Sequence, residues 1–185
     1  GGGEGVSGKV ILGNFMSRFD PDNLAGDIKQ TASVIGVDIK TPGEGYREAP
    51  MVSISDSCDQ GYGAYGRAIV DFNMNSPTYG QVTDIVIFSQ GENYPIGDPE
   101  EAYVDKIIVE NPGSGYDEDD TIDGDFELVV EDGQIKEVKP NNNAYRRLPQ
   151  MNINTISGSG AVLRPIMSTT RRQTGVEQVI DCVTT

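Results

Sequence analysis

The segment VDIKTPGEGY (residues 37–46) returns almost position for position as IIVENPGSGY (residues 107–116). Two looser copies accompany the pair, IVIFSQGENY (85–94) and VKPNNNAY (138–145). A second block recurs as well. GYGAYGRAI (61–69) lines up with GSGAVLRPI (158–166), which puts Arg67 and Arg164 at equivalent positions. Pro50 and Pro149 each follow a tyrosine by four residues and open short stretches at 51–54 and 151–153 that read as strands. The unit is therefore strand, Pro-Gly-x-Gly-Tyr turn, proline, strand, Gly-x-Gly-Ala, strand.

Each part of the unit has a physical reason. Pro42-Gly43 and Pro112-Gly113 supply the fixed φ and then the positive φ of a type II turn. Gly45 and Gly115 let the backbone turn again without a Cβ clash. Tyr46 and Tyr116 then lay a rigid ring over the turn, and Gly91 with Tyr94, and Tyr145, hold the corresponding places in the looser copies. The Gly-x-Gly-Ala segments suit close approach of another backbone. One such unit cannot hide its apolar face alone and must stack on a copy of itself.

Working outward, the chain divides into an N-terminal connector or strand segment (1–33), a first β-repeat (34–100), a second β-repeat (101–168) and a C-terminal strand or tail (169–185). Residues 9–12 read as a short strand. A brief helix capped by Asp20-Pro21, with Leu24, Ala25 and Ile28 on one face, is the single helical expectation. The opening glycines read as a linker or as the trimmed end of a longer chain. Residues 176–183 fit helical spacing, but their β-branched content favours a strand. The expected class is all-β, with little or no helix.

Composition narrows the function classes. The chain carries 29 acidic and 14 basic residues among 185, a formal charge of −15. That balance opposes nucleic-acid binding, which needs clustered cations, and binding to anionic membrane surfaces. No histidine is present, which removes the Ser-His and Cys-His nucleophile pairs and histidine-ligated metals. No apolar run approaches the roughly 18 residues that would span a bilayer as a helix. Cys58 and Cys182 lie far apart and read as packed free thiols rather than as a disulfide scaffold.

Hydrophobic residues amount to 36%, with no tryptophan and five phenylalanines. Strands this thin need a second surface, and a closed homo-oligomer offers one because every chain presents the same strip. An intertwined or prism-like homotrimer would also cover strand edges. Arg67 and Arg164 are expected to pair with the surplus carboxylates, between repeats or between chains.

The strand, Gly-x-Gly-Tyr, proline, strand, Gly-x-Gly-Ala pattern at 34–168, in an acidic chain without histidine, resembles the virion structural proteins of tailed phages. Among these, the pattern is similar to that of the large tail, baseplate and fibre proteins of T-even-like cyanophages. The resemblance implies a β-rich, trimeric, non-catalytic particle component, a spike or fibre module located in the virion, whose partners are other tail or baseplate proteins.

Two other chemistries are weighed against it. In the acidic run DEDDTIDGD (117–125), Asp119, Thr121, Asp123 and Gly124 partly fit the opening of a calcium loop. Val130 stands where an EF-hand needs its bidentate glutamate, which leaves Asp119, Asp123 and Asp125 as oxygen ligands for Ca2+ or Mg2+ in another geometry. Tyr46, Tyr62, Tyr65, Tyr79, Tyr94 and Tyr116 offer a stacking surface for carbohydrate, which makes a receptor-binding module for host-surface glycans the second reading. Paired carboxylates that cleave glycosides would be a third, yet no pair stands out among so many acids.

Overall fold

The computed structural model describes residues 2–19, 28–96 and 101–170. Among these the protein is all-β: thirteen strands in five small antiparallel sheets, with no helix. The longest element is the ribbon of β1 (Glu4–Phe19) and β2 (Ile28–Glu44), paired from Glu4 opposite Glu44 to Phe19 opposite Ile28 with shifts of register between Ser7 and Gly8, Ile11 and Leu12, and Gly13 and Met16. The other edge of β2 takes β6 (Tyr94–Pro95). A second sheet is the meander β3 (Met51–Ile54), β4 (Tyr62–Val70) and β5 (Val82–Glu92).

The third sheet centres on β7 (Ala102–Asn111), flanked by β11 (Ala144–Tyr145) and β13 (Val162–Ser168). Two ribbons complete the fold. One is the hairpin of β9 (Glu127–Glu131) and β10 (Gln134–Lys139); the other joins β8 (Thr121–Ile122) to β12 (Ile153–Asn154). Asp132 and Gly133 both have positive φ, 52° and 74°, between β9 and β10. These values match the twist that a two-residue hairpin requires.

The cores explain how the pieces stack. Successive residues of a strand point to opposite faces, and β2 uses both. Val34 joins Ala64, Ala68, Val82, Ile85 and Ile87 of the β4–β5 layer. Its neighbour Ile35 joins Ile11, Val104, Ile107, Ile135 and Met167 on the other side. The β1–β2 ribbon is thus a wall shared by two apolar clusters, and both Val34 and Ile35 are fully buried. Gly36 is where β13 comes closest to that wall: a Cβ there would stand 2.9 Å from the Met167 Cβ.

Three expectations change in detail. The short strand at 9–12 is the middle of the sixteen-residue β1, because its whole length pairs with β2. The strand expected at 151–153 is only Ile153–Asn154, since its partner β8 is two residues long. The opening glycines do more than link, as Gly3 lies inside a packed contact described below. The brief helix after Asp20 falls on residues outside those described except at Ile28, which begins β2 opposite Phe19 instead of closing a helical face. The strand at 176–183 lies wholly outside the described residues.

Candidate functional site

The recurring motifs meet in space. The Gly-x-Gly-Tyr turn at the end of one strand clasps the Gly-x-Gly start of the antiparallel strand beside it, and it does so three times. Tyr46 after β2 covers Gly3 before β1, Tyr94 after β5 covers Gly61 before β4, and Tyr116 after β7 covers Gly158 before β13. A Cβ on the covered glycine would stand 2.2, 2.2 and 2.1 Å from the ring. The turn glycine approaches just as closely: a Cβ on Gly43, Gly91 or Gly113 would lie 2.5, 2.4 or 2.5 Å from the carbonyl oxygen of Glu4, Tyr62 or Ser159.

Backbone angles repeat with the contacts. The turn glycines have φ of 65°, 61° and 64°, and Gly5, Gly63 and Gly160 opposite them have 82°, 83° and 84°. Asn93, at φ 65°, takes the place that Gly45 and Gly115 hold at 75° and 77°. Asparagine tolerates that region best among residues with a side chain, which is how the looser copy QGENY keeps the same turn. In two of the clasps the phenol is anchored. The Ala64 amide donates to Tyr94 Oη at 3.2 Å and the Ala161 amide to Tyr116 Oη at 3.2 Å. Tyr94 Oη donates onward to the Ile54 carbonyl at 2.7 Å.

Tyr145 is different. Asn141 donates to its hydroxyl at 2.7 Å, and its ring stacks on Phe126 at 6.3 Å with an interplanar angle of 8°. A phenylalanine thus replaces the bare glycine beneath the ring.

A cleft opens beside the first turn. The Tyr46 amide donates to the Gly80 carbonyl at 2.9 Å, as the Tyr116 amide does to Gly133 at 3.1 Å. Around the first junction Gly2, Gly45, Tyr46, Arg47, Glu48, Tyr79 and Gly80 line a cavity of ≈ 860 Å³. The corresponding space at the second is ≈ 340 Å³ and carries Asp117, Glu118, Asp119 and Asp132. The same junction is aromatic and of mixed charge in one place and uniformly acidic in the other.

The acidic run does not gather into a cation cage. Asp119 lines the smaller cleft, whereas Asp123 accepts from Asn154 Nδ2 at 2.8 Å and Asp125 takes a positive φ of 60° on the turn. Among the described residues no group of three or more acidic or cysteine side chains is placed to hold a metal ion. Cys58 is a free thiol but exposed rather than packed, because it lies on the turn that the Asp56 carboxylate folds, and Cys182 lies outside the described residues.

Arg67 and Arg164 converge on one carboxylate within the chain. Arg67 Nη2 reaches Glu110 Oε1 at 2.9 Å, and Arg164 Nε reaches Glu110 Oε2 at 2.7 Å. Both guanidinium groups also lie over the Phe88 ring, 5.4 and 5.1 Å from its centroid, where its negative face attracts cations. Arg164, then Arg67, hold the Glu110 carboxyl below the ordinary glutamate range by hydrogen bonding to its charged form. The cluster ties β4 and β5 to β7 and β13. Sequence placed the two arginines at matching positions; that Glu110 and Phe88 receive both is a long-range fact with no local signal.

The six tyrosines divide evenly. Tyr46, Tyr94 and Tyr116 are used in the clasps. Tyr62, Tyr65 and Tyr79 remain about half exposed. Tyr62 bonds to Glu92, and Tyr65 meets Phe88 edge-on at 6.4 Å. Tyr79 borders the larger cleft.

A scan against protein-family models found no match, and neither did searches of the curated proteins and of the solved structures.

Proposed function

We propose that this chain is a non-catalytic structural module of a phage tail or baseplate, of the spike or fibre kind, built on internal β-repeats and working as a homotrimer in the virion. The observation that carries the reading is the threefold recurrence of the clasp at Tyr46, Tyr94 and Tyr116. A mechanical element must resist deformation. Turns in which a ring fills the space above a glycine, with strand backbones in contact, leave little freedom to bend. Partners in this reading are further copies of the chain and other tail or baseplate proteins.

Exposed apolar groups support the oligomer. Val6, Met51 and Ile156 are exposed, and a groove of ≈ 300 Å³ between β1 and β3 is lined by Val10, Val37, Ile39, Val52 and Ile54. Apolar surface of this sort favours a covering partner. Light scattering behind a sizing column tests the assembly: a mass near three chains supports it, and a compact monomer overturns it. Peptide mass spectrometry of purified tail particles from the encoding virus tests the location, and absence from the particle would sink the reading.

A second reading, a receptor-binding module for host-surface glycans, is favoured by one observation: Tyr79 stands exposed at the edge of the larger cleft. A glycan array separates the two, being blank under the first reading and showing specific hits under the second.

A further inference from the structure

We infer that the cleft at the junction of the Tyr46 turn and the Gly80 loop is a binding site for a neutral hexose oligosaccharide. The proposal rests on the glycan-binding reading and names its site.

Size and lining come first. At ≈ 860 Å³ the cleft falls within the range of about 300–1,000 Å³ typical of small-molecule sites. Gly2, Gly45 and Gly80 leave its floor as bare backbone, so a sugar can approach main-chain carbonyl and amide groups directly. Tyr79 offers an exposed ring, and a ring's negative face attracts the polarised C–H groups on the apolar face of a pyranose. Arg47 and Glu48 supply the polar contacts. Neither has a hydrogen-bond or ion-pair partner among the described residues, so a fan of donors and a pair of acceptor oxygens remain for vicinal hydroxyls.

The site is also held ready, and preorganisation lowers the entropy lost on binding. On one wall the Tyr46 ring is fixed over Gly3, and its amide is bonded to Gly80. On the other, the Tyr79 loop is pinned at both ends. The Gly80 amide donates to the Asp71 carbonyl at 2.7 Å, Thr78 Oγ1 donates to Asp71 Oδ2 at 2.6 Å, and the Tyr79 amide donates to the Ser76 carbonyl at 3.2 Å.

Charge selects the class of sugar. With a net charge of −15, the chain repels polyanions over a Debye length of roughly 8–10 Å. Neutral hexose chains avoid that penalty; polyuronates do not. The equivalent junction at Tyr116 is an internal comparison. Asp132 stands there in place of Tyr79 and Asp117 in place of Arg47, so it lacks both the stacking ring and the cation.

The experiment is isothermal titration of the full chain with short neutral hexose oligosaccharides, and with uronic-acid oligosaccharides as comparison, on the native protein and on Tyr79→Ala, Tyr79→Phe, Arg47→Ala and Tyr65→Ala. All four changes are at exposed positions, and circular dichroism checks that each variant folds. Binding of a neutral oligosaccharide that falls by about tenfold or more in Tyr79→Ala and in Arg47→Ala, and is kept in Tyr79→Phe and Tyr65→Ala, supports the site. Binding unchanged in Tyr79→Ala, or lost only in Tyr65→Ala, overturns this site while the glycan-binding reading stands. Preference for the acidic oligosaccharides overturns the assigned sugar class. No heat with any oligosaccharide overturns both the site and the reading beneath it.

Discussion

The Tyr94 ring fills the space that a side chain on Gly61 would need, so that a Cβ there would stand 2.2 Å from ring carbon Cδ1. The ring cannot give way easily. Its hydroxyl accepts from the Ala64 amide and donates to the Ile54 carbonyl, and the residue is buried. Gly61→Ala must therefore move β4 or tear the phenol from its partners. Overpacking of this kind costs about 1–3 kcal/mol. For a chain of this size each kcal/mol corresponds to roughly 2–4 °C in Tm. Thermal unfolding followed by circular dichroism should show that loss, and an unchanged midpoint would disprove the clasp as a packed contact.

Removing only the hydroxyl asks a narrower question. Tyr94→Phe keeps the ring over Gly61 but leaves the Ala64 amide and the Ile54 carbonyl without this partner. A buried group stripped of its hydrogen bond costs about 1–3 kcal/mol. Urea denaturation should show a lower midpoint with an unchanged slope. Tyr145→Phe should lose less, because that hydroxyl accepts from a side chain, Asn141, that other groups can satisfy.

Glu110 makes stability depend on pH in a definite direction. Its carboxyl sits below the usual glutamate value in the folded chain, through Arg164 and then Arg67. The unfolded chain binds protons more readily, so the contribution is fully present above the unfolded value of about 4.3. It is lost as the pH falls through the lowered folded value. Glu110→Gln should lower stability at neutral pH and flatten its decline below about pH 4. Exposed pairs each contribute roughly 0.2–1 kcal/mol, and salt screens them. Unfolding midpoints of the two proteins, compared between neutral and acid pH, decide the point. Equal pH slopes would exclude the network as the cause.

How much of this could be read in advance follows from the range of each interaction. Pro42-Gly43-x-Gly45-Tyr46 was legible because a positive φ and a rigid ring leave their mark within five residues. Gly61-x-Gly63-Ala64 was legible as a place of close approach for the same reason. That the two motifs are each other's partners was not, because strand pairing joins Tyr94 to Gly61 across 33 residues and Tyr46 to Gly3 across 43. One local signal does mark the N-terminal partner. Gly3-Glu4-Gly5 has the Gly-x-Gly spacing of Gly61–Gly63 and of Gly158–Gly160, the pattern of a packed strand start rather than of a linker. The cleft was half legible: Tyr79 was among the candidate stacking residues, but its junction with Arg47 and Glu48 depends on the hairpin carbonyl of Gly80 meeting the Tyr46 amide. The convergence of Arg67 and Arg164 on Glu110 depends on two sheets meeting, which no local pattern encodes.

Asp84 and Lys106 link the meander to the β7 sheet through a pair that is buried on one side only. Asp84 is 8% exposed, and its carboxylate is 3.1 Å from Lys106 Nζ, whose side chain is 47% exposed. Lys106→Ala would leave a nearly buried carboxylate without its cation. Breaking a fully buried pair costs about 3–5 kcal/mol, and the exposed lysine reduces that to about 1–2 kcal/mol here. Lys106→Arg should retain most of the stability. Chemical denaturation of both variants tests this, and equal loss in the two would show that side-chain shape, not charge, holds the contact.

The loop beneath the second clasp supplies the last test. Asp56 accepts from the Cys58, Gln60 and Gly61 amides, so a single carboxylate folds the loop and presents Gly61 to Tyr94. Those amides, Gly61 first, hold its carboxyl below the ordinary aspartate range. The sign is that of Glu110: the ordered loop is favoured above the unfolded aspartate value and loosens as the pH falls through the folded one. Asp56→Ala should remove the three acceptor contacts at every pH. The exposed Cys58 thiol lies in this loop and reports on it. Limited proteolysis at neutral pH should cut Asp56→Ala within 55–61 well before the native chain. Asp56→Asn should fall between the two, because its amide oxygen still accepts but carries no charge. Equal cleavage rates in all three proteins would mean that the Tyr94 clasp orders the loop without help from the carboxylate.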